Sequence, residues 1–155
     1  MNYSKPIICA LLVSCLSAPA IAAPGGSWGK TDSMSTVERK IDAKDYQAAI
    51  DELTVIVKKE SNNADAYNLL GFSNRKLKRY EIAEEYYLQA LKLDPKHKGA
   101  MEYLGELYVE TDRMDEAHRM LARLDKACFL SCSEKKQLKT AIERKEQGLT
   151  AKTNW

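Results

Sequence analysis

Apolar positions recur along this chain with a long period. The segments Lys44–Leu53, Lys78–Tyr87 and Asp112–Leu121 align when each is shifted by 34 residues. Tyr46, Tyr80 and Met114 then coincide, as do Ala49, Ala83 and Ala117, and Leu53, Tyr87 and Leu121. A second trace aligns Tyr67, Leu70 and Gly71 with Met101, Leu104 and Gly105 at the same stride. A fixed stride of this size marks stacked supersecondary units, none of which can bury its apolar face alone. Punctuation follows the same period. Asp94-Pro95 stops a helix, because proline restricts the residue before it and cannot extend the hydrogen-bond ladder; Asn62-Asn63 does so more weakly. Farther on, Leu138 and Ile142 form a narrow apolar stripe in a Lys-rich stretch, which predicts an amphipathic helix over 132–147. Ser131-x-x-Glu134 reads as its capping box.

These residues resemble the tetratricopeptide repeat. The fullest copy is 64–97, with Tyr67, Leu70, Gly71, Ala83, Tyr87, Ala90 and Pro95 on pattern and Asn74 where an aromatic is usual. The copy over 98–131 keeps Met101, Leu104, Gly105, Tyr108, Ala117 and Leu121 but has no proline near Phe129. A copy over 30–63 keeps its second half, with Val37 and Ile41 marking its first helix. The resemblance implies an all-α fold: a right-handed α-solenoid of about three helix-turn-helix units over 33–131, plus a C-terminal capping helix. Seven helices are expected, near 34–43, 46–60, 64–77, 80–93, 98–111, 114–126 and 132–147. Gly71, Gly105, Ala83 and Ala117 would stand where helices cross closely.

The ends of the chain read differently. Residues 1–22 look like a secretory signal: Lys5 is the only charge before Lys30, an apolar run extends to Leu16, and Ala20-Ile21-Ala22 is an A-x-A cleavage site. The run is too short to span a bilayer. Leu12-Val13-Ser14-Cys15 also resembles a lipobox, which would anchor the protein by lipid on Cys15. Either route takes the domain out of the cytoplasm, and the periplasm is the expected location. Residues 23–32 form a Gly-rich linker carrying Trp28, and 148–155 a frayed tail. Small exported bacterial proteins with this plan of signal, linker, repeats and Cys pair look similar.

Composition narrows the function. The balance of 24 Lys and Arg against 22 Asp and Glu lacks the cation surplus that a dedicated nucleic-acid binder needs. No phosphate loop, nucleophile elbow or H-E-x-x-H is present, so neither catalysis nor a cofactor is expected. His97 and His118 read as surface histidines, and Glu84-Glu85 as solvated charge. Cys128 and Cys132 are expected to pair in an oxidising compartment, with the chain breaking near Phe129-Leu130. The alternative is a redox or copper accessory role for that pair. The resemblance implies a binding module whose concave face is lined by the first helix of each unit. Carried over by position, that face offers Asp65, Asn68, Phe72, Arg75 and Lys76, then Gly99, Glu102, Glu106, Val109 and Glu110. Two readings follow: a basic wall facing an acidic wall across a groove for a protein or peptide partner, or charges that pair with each other.

Overall fold

The computed structural model describes residues 31–129 and 132–148. Seven helices lie among them: α1 (Thr31–Asp42), α2 (Tyr46–Lys59), α3 (Ala64–Lys76), α4 (Tyr80–Leu93), α5 (Lys98–Glu110), α6 (Met114–Ala127) and α7 (Ser133–Glu146). The signal, most of the linker including Trp28, Leu130, Ser131 and the tail from 149 lie outside the described residues. Helix α1 starts earlier than expected, at Thr31. Met34 and Ile41 pack around fully buried Val37, a 34/37/41 apolar stripe along this helix.

Each helix packs on the next, and the first helices also touch one another, α3 against α5 and α5 against α7. The result is an all-α solenoid of stacked hairpins. Its stride is written in the backbone. Lys44, Lys78 and Asp112, spaced 34 apart, each have φ of 59°. Each ends a first helix in the left-handed region, and the next amide reaches back five residues: Asp45 to Lys40, Arg79 to Asn74, Arg113 to Tyr108. A left-handed L-residue costs roughly 1 kcal/mol, a cost offset by the closing hydrogen bonds. The first hairpin shares this turn, so its backbone is intact although its apolar pattern is sparse.

Two apolar clusters fill the interior. One joins α1, α2 and α3 around Val37, Leu53 and Leu70; the other joins α4 to α7 around Tyr87, Leu104, Leu124 and Leu138. Tyr67 packs against both. Ala83, Ala90, Ala117 and Met101 lie in the second, Leu121 packs at its edge, and Pro95 is exposed in the turn after α4. Helices approach closely at two glycines. A Cβ on Gly71 would stand 2.6 Å from the Tyr87 ring, and one on Gly105 would stand 2.5 Å from Leu138. Leu138 is one stride from Leu104 and two from Leu70, and all three are fully buried. Helix α7 is therefore the first helix of a fourth unit. Exposed Lys139 stands in the place of Gly71 and Gly105.

Helix α6 stops at Ala127, and a disulfide joins Cys128 to Cys132 with a Cα–Cα distance of 5.8 Å. Phe129, between them, is 98% exposed. The expected capping box is not the one formed. Cys132 occupies the N-cap position without a side-chain cap, and the Ser133 hydroxyl donates to Glu134 at 3.0 Å. The bridge fixes Cys132 at the helix entrance and so displaces the start by one residue; Ser131 itself lies outside the described residues.

Gly71→Ala should lower stability by about 1–3 kcal/mol, because the Tyr87 ring behind it is fully buried and has no room to retreat. Urea denaturation followed by circular dichroism measures this; an unchanged midpoint would refute the close-approach argument.

Candidate partner-binding wall

The wall is set by how α3 and α5 begin. Asn63 accepts from the Ala66 amide at 3.0 Å, capping α3. His97 does the same for α5: its Nδ1 accepts from the Ala100 amide at 3.1 Å, while Nε2 faces Asp65 at 3.0 Å. His97 is thus a helix cap that also touches the preceding unit, and not the simple surface histidine expected. His118 pairs with Glu146 across exposed surface at 2.9 Å.

Aromatic rings run across the helices. Tyr46 on α2 meets Phe72 edge-on at 6.2 Å between centroids, and Phe72 meets Tyr103 on α5 at 5.1 Å. Phe72 and Tyr103 are half-buried, leaving part of each ring open. The Lys76 ammonium lies 5.1 Å from the Phe72 centroid, and Arg75 lies 5.9 Å from Phe72 and 5.7 Å from Tyr103. The repeat pattern does not single out Tyr103. Its signal was helical spacing alone: Gly99, Tyr103 and Glu106 are four and three residues apart, and share a face of α5.

Arg75 is 3% exposed. Its Nη2 donates to Glu106 at 2.7 Å and its Nη1 to Glu110 at 2.8 Å. The basic and acidic residues thus bond to each other between α3 and α5, which is the pairing reading of these charges. Burial opposes the charge on Arg75, but the Tyr87 phenol and both glutamates hold its pKa above the arginine range. Burial raises the pKa of Glu106 despite the guanidinium beside it.

Glu102 differs. It is 3% exposed, and its Oε1 is buried without a hydrogen-bond partner. Burial pushes its carboxyl up to about 8, helped by Glu106 and by Glu134 on α7 and opposed by Arg75. Asn68 on α3 is 7% exposed, and its Oδ1 is likewise unpaired. Its Nδ2 is 3.3 Å from where a Cβ on Gly99 would stand, so Gly99 lets the amide close on α5. Buried polar atoms without partners are rare in folded proteins and call for an explanation.

A second charged contact ties units together on α4, α5 and α6. Arg113 donates to Glu84 through Nη1 at 2.6 Å and Nη2 at 3.1 Å, and the Tyr108 hydroxyl donates to the same carboxylate at 2.9 Å. Glu84 is therefore not the solvated charge expected. Burial alone would raise its pKa, but the bonds from Arg113 and Tyr108 bring it below the ordinary value. Glu85 is exposed. Among the described residues no group of three His, Cys, Asp or Glu is assembled for a metal ion.

Against known sequences, the tetratricopeptide repeat pattern matches residues 64–97. Residues 64–97 are a tetratricopeptide repeat. A DnaJ protein P58IPK homolog of Arabidopsis thaliana is 40% identical over 55 residues, which is 36% of this chain and 11% of that protein. The chain thus spans about a tenth of that relative's length. Among solved structures, the type III secretion translocator chaperone SycD of Yersinia enterocolitica superposes with a TM-score of 0.69 at 12% identity, over 76% of this chain and 83% of that one. SycD in complex with a peptide of the translocator YopD gives 0.65 at 15% identity, over 77% and 90%. The OM64 TPR domain of Arabidopsis gives 0.63 at 22%, over 75% and 93%. These likenesses establish the repeat fold. No helix among the described residues is long and apolar enough to cross a membrane.

Two predictions follow from the charges. Arg75→Met leaves Glu106 buried and unpaired and should cost about 3 kcal/mol in urea denaturation; adding Glu106→Gln should recover part of that loss. Glu102 sets a pH dependence. Its folded pKa, about 8, lies above the ordinary 4.5, so the fold binds its proton more tightly than the unfolded chain does. The stabilisation is complete below about pH 4.5 and is lost as pH rises through about 8. Glu102→Gln should therefore match the parent in Tm near pH 4 and exceed it at pH 8.5. Equal Tm differences at both pH values would remove the argument.

Proposed function

We propose that this protein is an exported, non-catalytic interaction scaffold that holds a peptide or protein partner on the wall formed by α3 and α5. The observation that carries the reading is the Phe72–Tyr103 aromatic surface, half-open and fixed from behind by Arg75. Open aromatic surface on rigid helices is what apolar partner side chains bind, at low entropic cost. Because the two terminal nitrogens of Arg75 are committed to Glu106 and Glu110, this guanidinium is not a clamp for a partner's carboxylate. SycD, which shares the fold, has been solved holding a peptide, and this supports the same use of the solenoid here. The periplasmic location rests on residues 1–22 and on the pairing of Cys128 with Cys132.

A photo-crosslinking residue in place of Phe72 should capture a partner in intact cells, and the same residue in place of exposed Leu88 on α4 should not. Capture from both positions, or from 88 alone, would move the site off this wall. Charge reversal along α5 is a poor probe, since Glu106 holds Arg75 in the fold. Mass spectrometry of the exported form should give Ala23 as the first residue. A diacylglycerol-modified Cys15 would instead establish the lipid-anchored form, and an intact leader in the cytoplasm would remove export.

A further inference from the structure

The aromatic surface accounts for the apolar half of a partner and leaves Glu102 and Asn68 without a role. Both are more than nine-tenths buried, both carry an oxygen with no donor, and they come from facing helices. Asn68 closes on α5 at Gly99, and Glu102 follows three residues later on the same face of that helix. Glu134 on α7 bears on the same carboxyl from the far side. The unpaired atoms of Asn68 and Glu102 are both acceptors, and the one unpaired donor nitrogen nearby, Arg75 Nε, is itself buried. The nearest cation, Arg75, has both terminal nitrogens engaged. Glu102 is bordered by two further glutamates, Glu106 and Glu134, and by one cation, Arg75.

We infer that Glu102 and Asn68 form a subsite for a basic side chain of the bound peptide, a lysine ammonium or an arginine guanidinium, beside the apolar residues that lie on Phe72 and Tyr103. The subsite rests on the peptide-docking reading above and specifies the chemistry of that peptide. An ammonium carries several donors and no acceptor, the complement of two orphaned oxygens. Docking requires the Glu102 carboxyl to give up its proton. The charged groups facing it are Glu106 on its own helix, Glu134 on α7 and Arg75 on α3; burial and the two glutamates hold that proton until a cation arrives, against the pull of Arg75. Binding therefore releases a proton, and affinity for a lysine-bearing peptide rises with pH, roughly 25-fold between pH 6.5 and 8.5 while the peptide lysine stays charged.

The test is selection from a random-peptide phage library at pH 8 on the full, oxidised chain, in parallel on Glu102→Gln and Phe72→Ala. The parent should enrich apolar or aromatic residues next to Lys or Arg. Glu102→Gln, which is expected to fold at least as stably, should keep the apolar residues and lose the basic one. In calorimetry, a norleucine-for-lysine twin of a selected peptide should bind the parent at least tenfold more weakly and Glu102→Gln about equally. Parent peptides with no basic position would overturn the subsite and leave the docking surface standing. So would the same basic position selected by Glu102→Gln. No enrichment at all, or peptides indifferent to Phe72→Ala, would overturn both.

Discussion

The bond from Arg75 to Glu106 and Glu110 ties α3 to α5, two helices that touch along a narrow seam. A guanidinium this deeply buried persists because the Glu106 and Glu110 carboxylates compensate it, and removing the arginine leaves Glu106 buried without its cation. It fixes α3 against α5 and presses its flat face near the rings of Phe72 and Tyr103. It also divides the acidic residues of α5 into two kinds. Glu106 and Glu110 are satisfied within the fold, and Glu102, one turn earlier, is not.

Beneath that bond lies a repeated backbone. The left-handed residues Lys44, Lys78 and Asp112 turn the chain by the same amount in each unit, and none of them is glycine. Gly71 and Gly105 stand where a neighbouring side chain occupies the space a Cβ would take. Helix spacing is thus set by the absence of an atom, and turn geometry by hydrogen bonds that hold ordinary residues in an uncommon conformation.

The stride of 34 made the helices, Gly71, Gly105 and the buried alanines legible in the sequence, because packing in a solenoid depends on position within the unit. The break at Phe129 was legible from the reach of a disulfide. Other features depended on pairs from different units, which periodicity does not report. Glu84 looked solvated beside Glu85, yet meets Arg113 twenty-nine residues on. Arg75 and the α5 glutamates could have faced a ligand or each other, and only their separation in space decides between these. His97 looked like a turn residue, and its capping role is a matter of a few tenths of an ångström. Met34 carried no periodic signal, because the stride aligns it with polar Asn68 and Glu102.

Lys139 occupies in α7 the place that glycine holds in the two preceding first helices, and its long side chain projects where another helix would need to press. The array is therefore sealed on that side by bulk as well as by charge. Anyone lengthening this scaffold by grafting a further hairpin would have to begin by emptying that position, since a lysine stem there would hold the new helix off before any of its apolar residues could meet α7.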